Sequence, residues 1–225
     1  MKRELLEDLI MFKSVKEDKY ITLKEYISSM KDGQKYIYYG TAETESAVKA
    51  LPQSEKILEL GYDILCFTEQ VDEFAVKMLG KYDDKEFKNI LGEDLGLGGE
   101  EAQNEEDKEL LSAIKEALGD KVAKVKASTV LKTHPVCLSS EGEISIEMEK
   151  VLSKMPNAKE GVKANKVLEI NANHKVFEKL KAVYAEDKEK IADYAEILYG
   201  LARLISGLSV EEPTELTDKI FNLLS

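Results

Sequence analysis

The chain predicts a small three-layer α/β domain followed by an α+β domain that ends in a helical bundle, and three observations carry that prediction. Between residues 35 and 91, short β-branched and aromatic runs alternate with helical periodicity at the spacing of strand–helix–strand units. Residues 92–107, GEDLGLGGEEAQNEED, are rich in glycine and acid and nearly empty of core residues, which marks an exposed connection. The last 40 or so residues carry apolar side chains at helical spacing throughout. The expected partition is 1–97 and 98–225.

Taken in order, Leu5, Leu6, Leu9, Ile10 and Phe12 mark a first short helix. Thr22 opens a second, with Glu25 three residues on as a capping box and Leu23, Tyr26, Ile27 and Met30 as its apolar face. KYIYY (35–39) is a strand. Residues 44–60 are helical, broken by Pro52 and closed by Gly61. YDILCF (62–67) is a strand apolar enough for burial on both faces, 71–79 a helix and 87–91 a third strand, so the layer is expected to be parallel.

In the second half, 108–118 is a helix with Leu110, Leu111, Ile114 and Leu118 on one face. KVAKVKAS (121–128) alternates lysine with small apolar residues and predicts a half-exposed strand, followed by strands at 136–140 and 166–170. Between these last two, Ile144, Met148, Val151, Leu152 and Met155 recur at i, i+4, i+7, i+8 and i+11 on one helix face. The pattern leaves open whether this stripe packs into its own domain or faces outward; its methionines suit a surface that accepts varied shapes. The terminal helix is apolar on two faces, with Ile197, Leu204 and Leu208 beside the main stripe. Pro213 begins another helix, with Leu216, Ile220, Leu223 and Leu224 on its face. Two such helices are half of a four-helix bundle; a two-fold dimer completes it, or both helices fold back on their own domain.

A net charge of −12 sets the surface against phosphate backbones, so nucleic acid is not an expected partner. No apolar run of 18 residues or more exists, so no membrane partner is expected. MKRELLEDLIMFKS has acids inside its apolar stretch and does not read as a signal peptide. Cys66 and Cys137, each inside an apolar run, read as buried free thiols of a reducing, cytoplasmic compartment. Neither His134 nor His174 has ligands at metal spacing, no phosphate-binding glycine loop is present, and no carboxylate pair stands out. Catalytic, cofactor and metal residues are therefore expected to be none.

ITLKEYISSMKDGQKYIYYGTAET (21–44), YDILCFTEQVDEFAVKML (62–79), VAKVKASTVLKTHPVCLSS (122–140) and KVLEINANHKVFEKL (166–180) together resemble the ninety-kilodalton heat-shock (heat shock protein 90) chaperone family in its bacterial form, over almost the whole chain and in the family's order. The resemblance implies an ATP-dependent molecular chaperone of the stress response. It places 1–97 at the end of the family's middle domain and 98–225 in its dimerisation domain. ATP, Mg and the arginine that contacts the γ-phosphate then belong to a longer parent, and these residues are expected neither to bind a cofactor nor to act as an enzyme. The end FNLLS lacks the acidic tail of cytosolic eukaryotic members, as expected of a bacterial type.

The same resemblance implies the site residues. Ile144, Met148, Val151 and Leu152 match a client-contacting helix, and Glu73, Phe74 and Lys77 a second client patch. Relatives often carry tryptophan where Phe74 stands, so the aromatic face is kept and the indole donor lost. Ile191, Leu198, Leu201, Ile205, Leu216, Ile220, Leu223 and Leu224 match the homodimer interface. Expected partners are a second copy and partly unfolded proteins. Two other readings stay open: a passive dimerisation module without client contact, and a nucleotide-binding or small-molecule enzyme on the α/β layer.

Overall fold

The computed structural model describes residues 7–69, 71–98, 104–153 and 162–224; the side chains of Ser153 and Leu224 lie outside that description. The chain forms two compact units. The first comprises Met1–Gly96 and Ser145–Lys163, the second Leu97–Ile144 and Ala164–Ser225. The expected partition at 97/98 thus differs at one inserted segment, which contains the methionine-bearing helix.

The first unit is built on a six-stranded sheet of order β2-β1-β4-β3-β6-β5. Its strands are β1 (Met11–Ser14), β2 (Tyr20–Thr22), β3 (Tyr36–Thr41), β4 (Leu65–Phe67), β5 (Lys81–Tyr82) and β6 (Lys85–Asn89). The three expected strands are its parallel centre: Tyr39 lies opposite Leu65, and Ile37 opposite Phe87. The edges are antiparallel, β1 pairing with β2 and with β4, and β5 with β6. The expected helix through Phe12 is corrected here. Leu5 and Leu6 lie outside the described residues, while Phe12 sits in β1 with its ring 4.5 Å from that of Phe67. Alternation of inward Phe12 and Ser14 with outward Met11 and Lys13 is a period of two, and pairing with β4 enforces it.

The helices of this unit follow local rules. α1 (Leu23–Ser29) closes the expected capping box: Glu25 N–H donates to Thr22 Oγ1 at 3.2 Å, and Thr22 N–H to Glu25 Oε2 at 2.7 Å. α2 (Glu45–Ala50) stops before α3 (Pro52–Glu59), where Pro52 takes a first-turn position. Gly40 in β3 is forced by a close approach: a Cβ there would lie 2.7 Å from Val48 Cγ1 and 2.8 Å from Ile90 Cδ1. α4 (Asp72–Leu79) covers the core of Phe12, Tyr26, Ile37, Tyr39, Leu65 and Phe67 through Val76.

The second unit contains a three-stranded sheet of order β7-β9-β8, formed by β7 (Lys124–Ala127), β8 (Val136–Glu141) and β9 (Asn165–Ile170). Four helices belong to it: α5 (Glu105–Leu118), α7 (Lys175–Glu186), α8 (Ile191–Ile205) and α9 (Pro213–Leu224); α6 (Ile146–Ser153) belongs to the first unit. Leu110, Ile114, Leu138, Leu168, Phe177, Leu180, Ala195 and Ala202 are among its buried side chains.

Two expectations change in this unit. Residues 105–107 are the first turn of α5 rather than connection: Asn104 caps it, its Oδ1 accepting from Asp107 N–H at 2.7 Å, and three acids favour the positive helix end. The lysine alternation of β7 is not a half-exposed pattern either. Lys124 is exposed, but Lys126 is buried with its Nζ 3.7 Å from the buried Glu169 carboxylate. Glu169 also accepts from Ser139 Oγ at 2.6 Å and Ser128 Oγ at 2.8 Å.

Candidate functional site

Sequence reasoning singled out α4 and the helix now seen as α6. Both belong to the first unit, and a buried carboxylate joins them. Glu73, in the first turn of α4, is 2% exposed. Its Oε1 accepts from Tyr39 Oη at 3.1 Å and Asn89 Nδ2 at 3.1 Å. Its Oε2 accepts from Ser145 Oγ at 2.6 Å, and Ser145 Oγ in turn accepts the Met148 N–H at 3.0 Å, capping α6. Lys77, one turn along α4, lies 3.9 Å from Glu73 and donates to Met148 Sδ at 2.9 Å. Burial, and next the Glu73 carboxylate, push the Tyr39 phenol above its usual range, so it stays a neutral donor.

The proposed contact residues therefore divide. Glu73 is corrected from a surface contact to an interior one: three donors and Lys77 hold a charge that solvent does not reach. Phe74 is half-buried and Lys77 exposed. On α6, Ile146 and Val151 are buried, and Met148 and Leu152 are half-buried. Ile144 precedes the helix and is half-buried in the second unit; Met155 lies outside the described residues. The outward part of α4 is apolar. Val71 (68% exposed), Phe74, Ala75 and Met78 (82% exposed) recur at i, i+3, i+4 and i+7. Val71 and Met78 were missed from sequence, although that spacing is the signal that finds them.

The expected interface residues divide as well. Ile191 and Leu198 are corrected to core residues of the second unit. Leu201 and Leu223 are exposed, Ile205, Leu216 and Ile220 half-buried, and the Leu224 side chain lies outside the described residues. Leu204 (54% exposed) and Phe221 (63% exposed) add to the apolar surface of α8 and α9. Cys66 and Cys137 are free and buried. His174 caps α7, its Nδ1 accepting the Val176 N–H at 3.2 Å. Among the described residues, no His, Cys, Asp and Glu cluster could hold a metal, and no helix is long and apolar enough to cross a membrane.

The family model for Hsp90 protein matches residues 1–225. The chain belongs to the Hsp90 family. The protein named Chaperone protein HtpG from Clostridium perfringens is 52% identical over 227 aligned residues, which cover 100% of this chain and 36% of that protein. Chaperone protein HtpG of Clostridium botulinum (strain Langeland) is 50% identical and that of Bacillus velezensis 48%, each over 99% of this chain and 36% of the relative. The Hsp90-family chain thus spans 36% of the length of these curated relatives.

Proposed function

We propose that this chain is the dimerising and client-contacting portion of an ATP-dependent cytoplasmic chaperone that assists protein folding. One observation carries the client reading: an Hsp90-family chain leaves Val71, which caps α4, and Met78 on α4 exposed, and α6, tied to α4 through Glu73–Ser145 and Lys77–Met148, carries the half-buried Met148 and Leu152. An apolar surface of aliphatic, thioether and aromatic side chains holds partly unfolded segments by dispersion and burial, without demanding one shape. Glu73 then acts as a positioning residue. It fixes Ser145, and so the start of α6, against α4.

Dimerisation is supported by the apolar side chains that α8 and α9 leave exposed, Leu204 and Phe221 above all. Two linked patches convert a second weak contact into an intramolecular one, so modest affinities combine. In this reading ATP and Mg are bound, and ATP is hydrolysed, outside these residues, and a calorimetric titration of ATP into this chain is expected to show no binding.

The test is protection of thermally aggregating citrate synthase, followed by light scattering. Met148→Glu places a charge at the rim of α6 and is expected to lower protection several-fold while sedimentation shows the same assembly as the parent chain. Unchanged protection removes α6 from the site and favours a passive dimerisation module.

A further inference from the structure

We infer that Gly200 is a notch that seats Leu216 and sets how closely α9 packs on α8, making it a positioning residue for the dimer-forming helix pair. The inference rests on the dimer reading above. Gly200 lies inside α8, where glycine weakens a helix relative to alanine. Its backbone is helical, so no left-handed conformation calls for glycine there. What calls for it is α9. A Cβ at position 200 would lie 2.8 Å from both Leu216 Cδ1 and Cδ2 and 3.4 Å from Leu216 Cγ. The whole isobutyl end of Leu216 occupies the space that any side chain at 200 would need.

α9 cannot step aside freely. On one flank Lys219 reaches Asp193 of α8 at 3.6 Å and Glu215 of its own helix at 3.3 Å. On the other, Arg203 of α8 donates from Nε to the Ser209 carbonyl at 2.8 Å and from Nη1 to Glu211 at 2.9 Å, holding the loop that enters α9. Relieving a clash at 200 means breaking one of these ties or ejecting Leu216. Either change moves Phe221 and Leu223 relative to Leu201 and Leu204, and a second copy must meet all four.

The test is a two-by-two set of chains: the parent, Gly200→Ala, Leu216→Ala and the double variant, each measured by sedimentation equilibrium and by amide exchange over residues 213–224. With Leu216 present, Gly200→Ala is expected to weaken the dimer tenfold or more and to speed exchange in α9. In the Leu216→Ala background the same change alters neither by more than twofold, because the occupant of the notch is gone. Equal effects in both backgrounds, or a Gly200→Ala dimer within twofold of the parent, would overturn the inference. A parent chain that stays monomeric counts against the dimer reading instead, and the exchange comparison then decides the notch.

Discussion

At the scale of single residues, buried charge is what distinguishes this chain. Glu73 collects Tyr39, Asn89 and Ser145 from 34, 16 and 72 residues away in sequence. Glu73→Ala leaves the buried Tyr39 and Ser145 hydroxyls and the half-buried Asn89 amide without their acceptor and is expected to cost about 3 kcal/mol in urea unfolding, with faster amide exchange in α6. Glu73→Gln keeps one acceptor oxygen and should cost clearly less. The Lys126–Glu169 pair follows the same logic. Lys126→Met strands a carboxylate that is almost fully buried, and a loss of about 3 kcal/mol is expected from the same measurement. Burial pushes the Cys66 thiol up to about 12 and the Cys137 thiol well above its usual range. Both are therefore neutral thiols at pH 8, and Ellman's reagent should label neither in the native chain and both after denaturation. The burials of Glu73 and Lys126 were not legible locally, whereas those of the two cysteines were, each lying inside an apolar run. Glu73 matches a surface patch of the resembled family, and KVAKVKAS reads as a half-exposed strand, until partners distant in sequence are in place.

At the scale of elements, legibility followed the length and purity of each pattern. The parallel centre of the first sheet was readable because KYIYY and YDILCF contain the β-branched, aromatic and apolar runs IYY and ILCF. The edge strands β2 and β5 have three and two residues, too few to show a period, and their existence depends on pairing. Helix starts were readable where a threonine satisfies the first amides, as at Thr22 and Thr44, but not at Asn104, which lies in an acidic, glycine-rich stretch. The buried face was legible in α5, where Leu110, Leu111, Ile114 and Leu118 are all buried as expected, but not in α6 or α8. Periodicity in α6 points to Met148, Val151 and Leu152 as one stripe, yet its buried side chains are Ile146 and Val151. For α8 the two apolar faces were legible, but assigning them to core or interface was not; Leu198 went inward and Leu204 outward. Leu204→Glu with Phe221→Glu should therefore give a folded monomer by light scattering, since neither side chain contributes to the core. Unchanged mass would remove α8 and α9 from the interface.

Across the whole molecule, the proposed function divides its two roles between the two units. The first carries the apolar face of α4 beside α6, and the second carries the exposed helices α8 and α9. A surface of net charge −12 keeps such a chain soluble despite its exposed apolar side chains and leaves their contacts as the attractive sites. The most direct measurement is site-specific photocrosslinking to reduced, unfolded α-lactalbumin. A photoreactive side chain at Met78 should capture it in high yield, and one at Lys49, exposed on α2, should not. Equal yields at the two positions would contradict the account.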